Sequence, residues 1–193
     1  MKHAALMRGL ALGVLSAVAA GPAQAQGAAP SEQSQACAAE GAGGVAQLHR
    51  DWIFGWDKKP GDPPFDFRAK FGRFYDWSGR DVHLYDDFEP QQRVARSPDA
   101  YGGFWAAPFT ALARADHGVI DGPDVLSGAG DIAASTMAFV ARLEAADGRI
   151  TGIKARSSIV WRCHAQGWRI VREHNSTRQI SPTETDALLH NSR

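Results

Sequence analysis

The stretch Ser158-Ile159-Val160-Trp161-Arg162-Cys163-His164-Ala165-Gln166-Gly167-Trp168-Arg169-Ile170-Val171-Arg172-Glu173-His174-Asn175-Ser176 decides the fold. Two runs rich in β-branched and aromatic residues flank a Gln166-Gly167 turn signal, the pattern of an antiparallel hairpin. Asp147-Gly148 repeats the signal upstream and Gly128-Ala129-Gly130 supplies a third, so the chain from about residue 115 reads as an antiparallel meander. With two-residue loops at Gln166-Gly167 and Asp147-Gly148, Cys163 pairs with Ile170, Trp161 with Arg172 and Ala134, and Ile159 with His174 and Thr136. Paired residues share a face of the sheet. One face then gathers Ile132, Ala134, Thr136, Ala155, Ile159, Trp161, Cys163, Ile170, Arg172 and His174. It is small and apolar with polar groups toward one end, which suits a sheet that lines a cavity. The other face carries Met137, Phe139, Val160 and Val171 among Lys154, Arg156 and Ser158, an apolar centre suited to a two-fold homodimer.

Working back toward the N-terminus, the period changes from two to between three and four. Val45, Leu48, Trp52 and Trp56 share one helical face, and the three prolines of Lys58–Pro64 end that helix. Phe67, Phe71, Phe74 and Tyr75 stripe a second helix, closed by Ser78-Gly79, and Val82–Phe88 reads as a short strand. Ser97-Pro98 is a capping hydroxyl followed by proline at the first helical position, and Tyr101, Trp105, Phe109 and Leu112 form the buried face of a third helix. Helices first and a meander last give an α+β domain with about three helices packed on one face of a sheet. That domain spans residues 45–178, between a flexible Gly- and Ala-rich segment at 26–44 and a C-terminal tail at 179–193.

The first residues read as an export signal. Lys2 and Arg8 give a basic start, Gly9–Ala20 is uncharged and apolar, and Ala23-Gln24-Ala25 offers the small residues a signal peptidase accepts. The apolar run falls short of the roughly 20 residues that span a bilayer. Cleavage after Ala25 would leave 168 of 193 residues, in the periplasm or outside the cell, with no membrane attachment. Loss of two of the 21 basic residues leaves 19 against 21 acidic ones, a net of −2 that offers no footprint for nucleic acid or anionic lipid. Cys37 and Cys163 are either a disulfide, as an oxidising compartment would favour, or two small buried thiols. Their spacing suggests no metal or redox site.

The order helix, helix, short strand, helix, long meander resembles the nuclear transport factor 2-like superfamily, in particular its SnoaL-like and calcium/calmodulin-dependent kinase II association-domain-like branches. Trp56-Asp57, Val82-His83-Leu84-Tyr85-Asp86 and the closing hairpin from Ser158 to Ser176 carry the resemblance, over roughly residues 45–178. It implies a cone: a strongly curved antiparallel sheet wrapped around helices, with a deep pocket and often a dimer formed by the outer sheet face. Some members are isomerases, cyclases or dehydratases, and others bind ligands or assemble complexes, so fold alone does not assign a reaction. Ile159 stands where the kinase association domains place an arginine, so their pocket chemistry does not carry over.

Three residues are candidates for acid–base chemistry. His174, beside Arg172 and Ser176, can exchange a proton near neutral pH. Asp57 follows an indole that would raise its pKa, and Asp86 sits at the strand end, one of an adjacent pair of which at most one points inward. Trp56, Tyr85, Tyr101, Trp105 and Trp161, with Arg172 and Ser176, are the candidate wall for a small, largely apolar ligand. The sequence lacks a nucleophile elbow, phosphate loop, dinucleotide fingerprint and H-E-x-x-H motif, so neither a cofactor nor a metal is expected. Asn175-Ser176-Thr177 matches a glycosylation acceptor, taken as chance beside a bacterial-type signal.

Overall fold

Two glycines and one bulge set the register of the sheet. The computed structural model describes residues 37–127 and 131–192, so the export signal and the Gly128-Ala129-Gly130 turn lie outside the described residues. Between β4 (Ile132–Ala145) and β5 (Ile150–His164), the Ala145 N–H donates to the Arg149 carbonyl at 3.0 Å. The loop thus has three residues, with Gly148 at φ +81°, where a side chain would be strained. Between β5 and β6 (Gly167–Ile180), His164 pairs with Gly167, so the loop is Ala165-Gln166 and Gly167 takes φ +97°.

Further along that hairpin the register shifts: Trp161 faces Ile170, but Val160 faces Arg172. The extra residue, Val171, is a β-bulge. Beyond it Ile159 pairs with Glu173 and Ser158 with His174, one residue away from the sequence-based pairing. A one-residue slip exchanges the faces of a strand. Glu173 and Asn175 therefore point inward with Ile159, and His174 points out. The three-residue loop shifts β4 likewise, so Ile132, Ala134 and Thr136 sit opposite Arg162, Val160 and Ser158 on the outer face. Met137 and Phe139, expected outside, are buried on the inner face at 1% and 7% exposure.

The six strands run in the order β2-β1-β6-β5-β4-β3, with β1 at His83–Asp86, β2 at Val94–Ala95 and β3 at Leu112–Ser127. The expected all-antiparallel sheet is mixed, because β1 comes before the meander and joins the free edge of β6 in parallel. The sheet is curved and unclosed. α1 (Val45–Gly55), α2 (Phe67–Phe71) and α3 (Pro98–Thr110) contribute to the core beneath it. α2 is shorter than its aromatic stripe suggested: Asp66 caps its start, but Tyr75 has already left it to bridge Ile170. Ser97 accepts a hydrogen bond from the Ala100 N–H at 3.2 Å with Pro98 next, as the sequence indicated. The core holds Trp52, Phe71, Phe74, Tyr75, Leu84, Trp161 and Ile170, each at most 1% exposed.

Residues 182–191, read from sequence as tail, form α4 (Pro182–Asn191) on the outer face of β3–β5. Gly118 and Gly152 make room for it: a Cβ at either would collide with Ser192 or Thr185. At residue 37 the chain is tied to β5, because Cys37 and Cys163 form a disulfide across a sequence separation of 126. Buried His49 pins α1 to the sheet, its two ring nitrogens meeting the hydroxyls of Ser135 at 2.8 Å and Ser157 at 2.5 Å. Burial pushes its pKa down to about 3, so it serves there as a neutral ring.

Candidate active site

Between α1, α3 and the concave face of β3–β6 lies a cavity of about 300 Å³. Its wall is largely aromatic and aliphatic: Trp56, Trp105 and Phe109 from the helical side, Phe139, Leu143 and Ile153 from the sheet. Besides Arg149 and Thr151, polar groups form two clusters at this wall.

The first is an Asp–His pair. Asp57 follows the end of α1, and its Oδ1 accepts from both the backbone N–H and Nδ1 of His117 on β3, each at 2.9 Å. His117 is 6% exposed and lines the cavity. Donation from Nδ1–H to Asp57 fixes the tautomer and leaves Nε2 with the lone pair that can take a proton. Lys70 Nζ donates to the Asp57 carbonyl at 2.8 Å, and an isolated bridge between Lys58 and Ala115 ties the two segments together.

The second is an acid cluster where β1 meets β6. Glu173 is 3% exposed and accepts from Tyr75 Oη and Tyr101 Oη at 2.6 Å each, and from Asn175 Nδ2 at 2.9 Å. Burial pushes its carboxyl up to about 7, against those three donors, which favour the ionised form. Asn175 Nδ2 also donates to Asp86 Oδ2 at 3.1 Å. Burial raises Asp86 to about 6, with the Phe88 N–H and Asn175 opposing the shift. Tyr75 and Tyr101 ionise well above the usual phenol range, chiefly because they are buried and then because Glu173 is near, so they remain donors. Asp86, Asn175, Thr177 and Tyr101 reach the cavity. Among the described residues no group of three or more His, Cys, Asp or Glu is placed to hold a metal ion.

The residues read from sequence divide sharply. Trp56, Tyr101, Trp105 and Asp86 line the cavity, and Asp57 stands behind His117. Trp161 is fully buried on the inner face but outside the cavity lining, its Nε1 donating to Ser135 Oγ at 2.8 Å. His174 is exposed on the outer face, its ring 5.2 Å from that of Tyr85 on β1, and Arg172 and Ser176 lie on the same outer face. These four leave the site: the bulge at Val171 turns Arg172, His174 and Ser176 outward, and Tyr85 faces out by alternation between the inward Leu84 and Asp86. Sequence reasoning missed His117, Glu173 and Asn175. Asn175 was noticed only as a glycosylation acceptor; at 2% exposure it is closed to that chemistry in the folded chain.

No family model matches the sequence, and no curated protein does. Solved structures do match. A nuclear transport factor 2-like superfamily protein from Salmonella enterica serovar Typhimurium superposes with TM-score 0.54 at 17% identity, over 68% of this chain and 87% of its own. The hexachlorocyclohexane dehydrochlorinase LinA, type 2, gives 0.52 at 9% identity, over 70% and 85%. A scytalone dehydratase-like protein from Novosphingobium aromaticivorans gives 0.53 at 12% identity, over 68% and 80%. At such identities the likeness is one of architecture. The chain has the nuclear transport factor 2-like fold, as its closing hairpin indicated.

Proposed function

We propose that this chain is an exported protein that binds a small, largely apolar molecule in its cone and moves a proton on it without a cofactor, as an isomerase, cyclase or dehydratase does. The observation that carries this reading is the apolar cavity of about 300 Å³ with His117 in its wall, oriented by Asp57. His117 Nε2 is the base, Asp57 stabilises the imidazolium that forms, and Asp86, raised to about 6 by burial, is an acid available in the second polar cluster below about that pH. Two of the structural neighbours bear the names dehydrochlorinase and dehydratase, which is compatible with proton removal. Filling the cavity tests the reading. Indane should bind the native protein, and Ala141→Trp, which plugs the wall with a large ring, should abolish binding while the fold survives. Failure of both indane and 5-indanol to bind the native protein would end it, and binding without any turnover in a screen of enolisable ketones would leave a ligand carrier.

Location and assembly belong to the same proposal. The disulfide supports an oxidising compartment, and protein recovered from the periplasm should have an intact mass lacking residues 1–25. For a homodimer, the outer face beside α4 offers Leu126, Ala134 and Val160, paired in one row across β3, β4 and β5, with Leu126 73% exposed. Sedimentation at tens of micromolar should show a dimer that Val160→Asp dissociates; a monomeric native protein would remove this part.

A further inference from the structure

Two buried polar atoms at the cavity have no hydrogen-bond partner among the described residues: Asn175 Oδ1 and Trp105 Nε1. One is an acceptor and the other a donor, and both residues line the cavity. The direction of the Asn175 amide is determined by its neighbours. Its Nδ2 is shared by two carboxylates, Asp86 Oδ2 at 3.1 Å and Glu173 Oε1 at 2.9 Å, so the nitrogen must face them and Oδ1 must face away. Trp105 has a single polar atom, and among the described residues no backbone carbonyl takes it, whereas the indoles of Trp52, Trp161 and Trp168 find an oxygen at Tyr75, Ser135 and the Ala38 carbonyl. A buried polar group left unpaired costs free energy, whereas a ligand group of the opposite kind recovers it.

We infer that the ligand class for this cavity is an oxygenated one: a compact apolar skeleton bearing a hydroxyl that donates to Asn175 Oδ1 and an oxygen that accepts from Trp105 Nε1. A hydrocarbon or halocarbon of the same size leaves both protein atoms unpaired and is selected against. This rests on the ligand-binding reading above and narrows it from apolar molecules in general to alcohols and phenols. The specificity is polar in origin, because an apolar wall alone discriminates weakly between isosteres, whereas a site with fixed hydrogen-bonding groups rejects a molecule that cannot satisfy them.

Indane, 5-methoxyindane and 5-indanol share one bicyclic skeleton and differ in offering nothing, an acceptor, and an acceptor with a donor. Calorimetry at pH 6 on the full mature chain should rank them in that order, with 5-indanol at least about tenfold tighter than indane. Trp105→Phe removes the unpaired N–H together with part of the indole ring; the lost wall affects all three ligands alike, so the advantage of 5-methoxyindane over indane should fall to within about twofold. Asn175→Leu should bring 5-indanol down to 5-methoxyindane; should this variant not fold, Trp105→Phe and the native ranking carry the test. Equal affinities of native protein for indane and 5-indanol would overturn the inference while leaving the cavity a ligand site. If none of the three binds, the ligand-binding reading itself fails.

Discussion

The two faces of β6 differ by one residue step and by almost everything else. Glu173 and Asn175 point into the cone, where the acids keep company with tyrosines and no cation pairs with them in the hydrogen-bond network. Arg172, His174, Ser176 and Arg178 point out, beside Lys154, Arg156 and Arg162 of β5, which share that outer face. Some outer charges are paired, Arg162 with Asp81 and Arg178 with Glu184, each through an exposed or half-exposed contact. Inside, burial resolves the charge by shifting Glu173 to about 7 and Asp86 to about 6. Outside, water and counterions do so with little change in stability. A chain close to neutral in sum thus holds a buried acidic cluster and a basic surface on opposite sides of one sheet, a segregation that total charge conceals.

The contrast predicts a gradient of effects. Truncating Trp161 to Ala on the inner face should cost about 3–5 kcal/mol, since it empties a fully buried site and removes one of the hydrogen bonds of Ser135. An unfolding free energy in urea within about 1 kcal/mol of native would mean the inner face is not the packed one.

The pH dependence should follow Glu173. Unfolded, it ionises near 4.5; folded, at about 7. Between these values the folded chain holds a proton that the unfolded chain has released, so the contribution of Glu173 to stability is full below 4.5 and is lost as pH rises through 7. The fall is about 3 kcal/mol for this group, at 1.36 kcal/mol per pH unit. Asp86 acts in the same direction between 3.8 and about 6. His49, held neutral by burial with its pKa pushed from 6.5 down to about 3, acts in the opposite direction up to pH 6.5, so chemical denaturation should show the decline most clearly between 6.5 and 7, where Glu173→Gln should remove it. A native curve that rises with pH over this range would contradict the burial of Glu173.

Adjacent residues give the finest comparison. Asn175→Leu removes the amide that two carboxylates share and should destabilise by about 1–3 kcal/mol. His174→Gln, one residue earlier but exposed, should change stability by no more than about 0.5 kcal/mol and leave 5-indanol affinity untouched. Equal effects at the two positions would break the assignment of faces.

Much of the architecture was legible because turns and periodicity are local. The Gly signals of the meander, the Ser97-Pro98 cap and the aromatic stripes of the helices all announce themselves within a few residues. Ser181-Pro182 with Glu184 is the same kind of cap, and was there to be read as the start of α4. The site was legible only in part. Trp56, Asp57, Asp86, Tyr101 and Trp105 were found from their places at element ends and on helix faces. The bulge at Val171 carries no marker, since valine suits a regular strand as well as a bulged one, and one unmarked residue moved His174 out and Glu173 in. His117 could not be linked to Asp57 from spacing, because 60 residues and the helical half of the fold separate them.

The disulfide has a mechanical consequence. Everything from Cys37 to Cys163 belongs to one covalent ring that includes α1 to α3 and nearly all of β5, and β6 and α4 trail from it. A pull applied between Cys37 and Ser192 passes through the sulfur bridge and goes around the ring, so the force falls on β6 and α4 alone. Their release would lengthen the chain by at most roughly 100 Å at about 3.4 Å per residue, and reduction of the bridge would free roughly 430 Å more. In the first stage the cone loses Glu173 and Asn175 while the aromatic wall stays stapled. Under tension the polar part of the cavity wall is what yields, and the hydrophobic shell outlasts it.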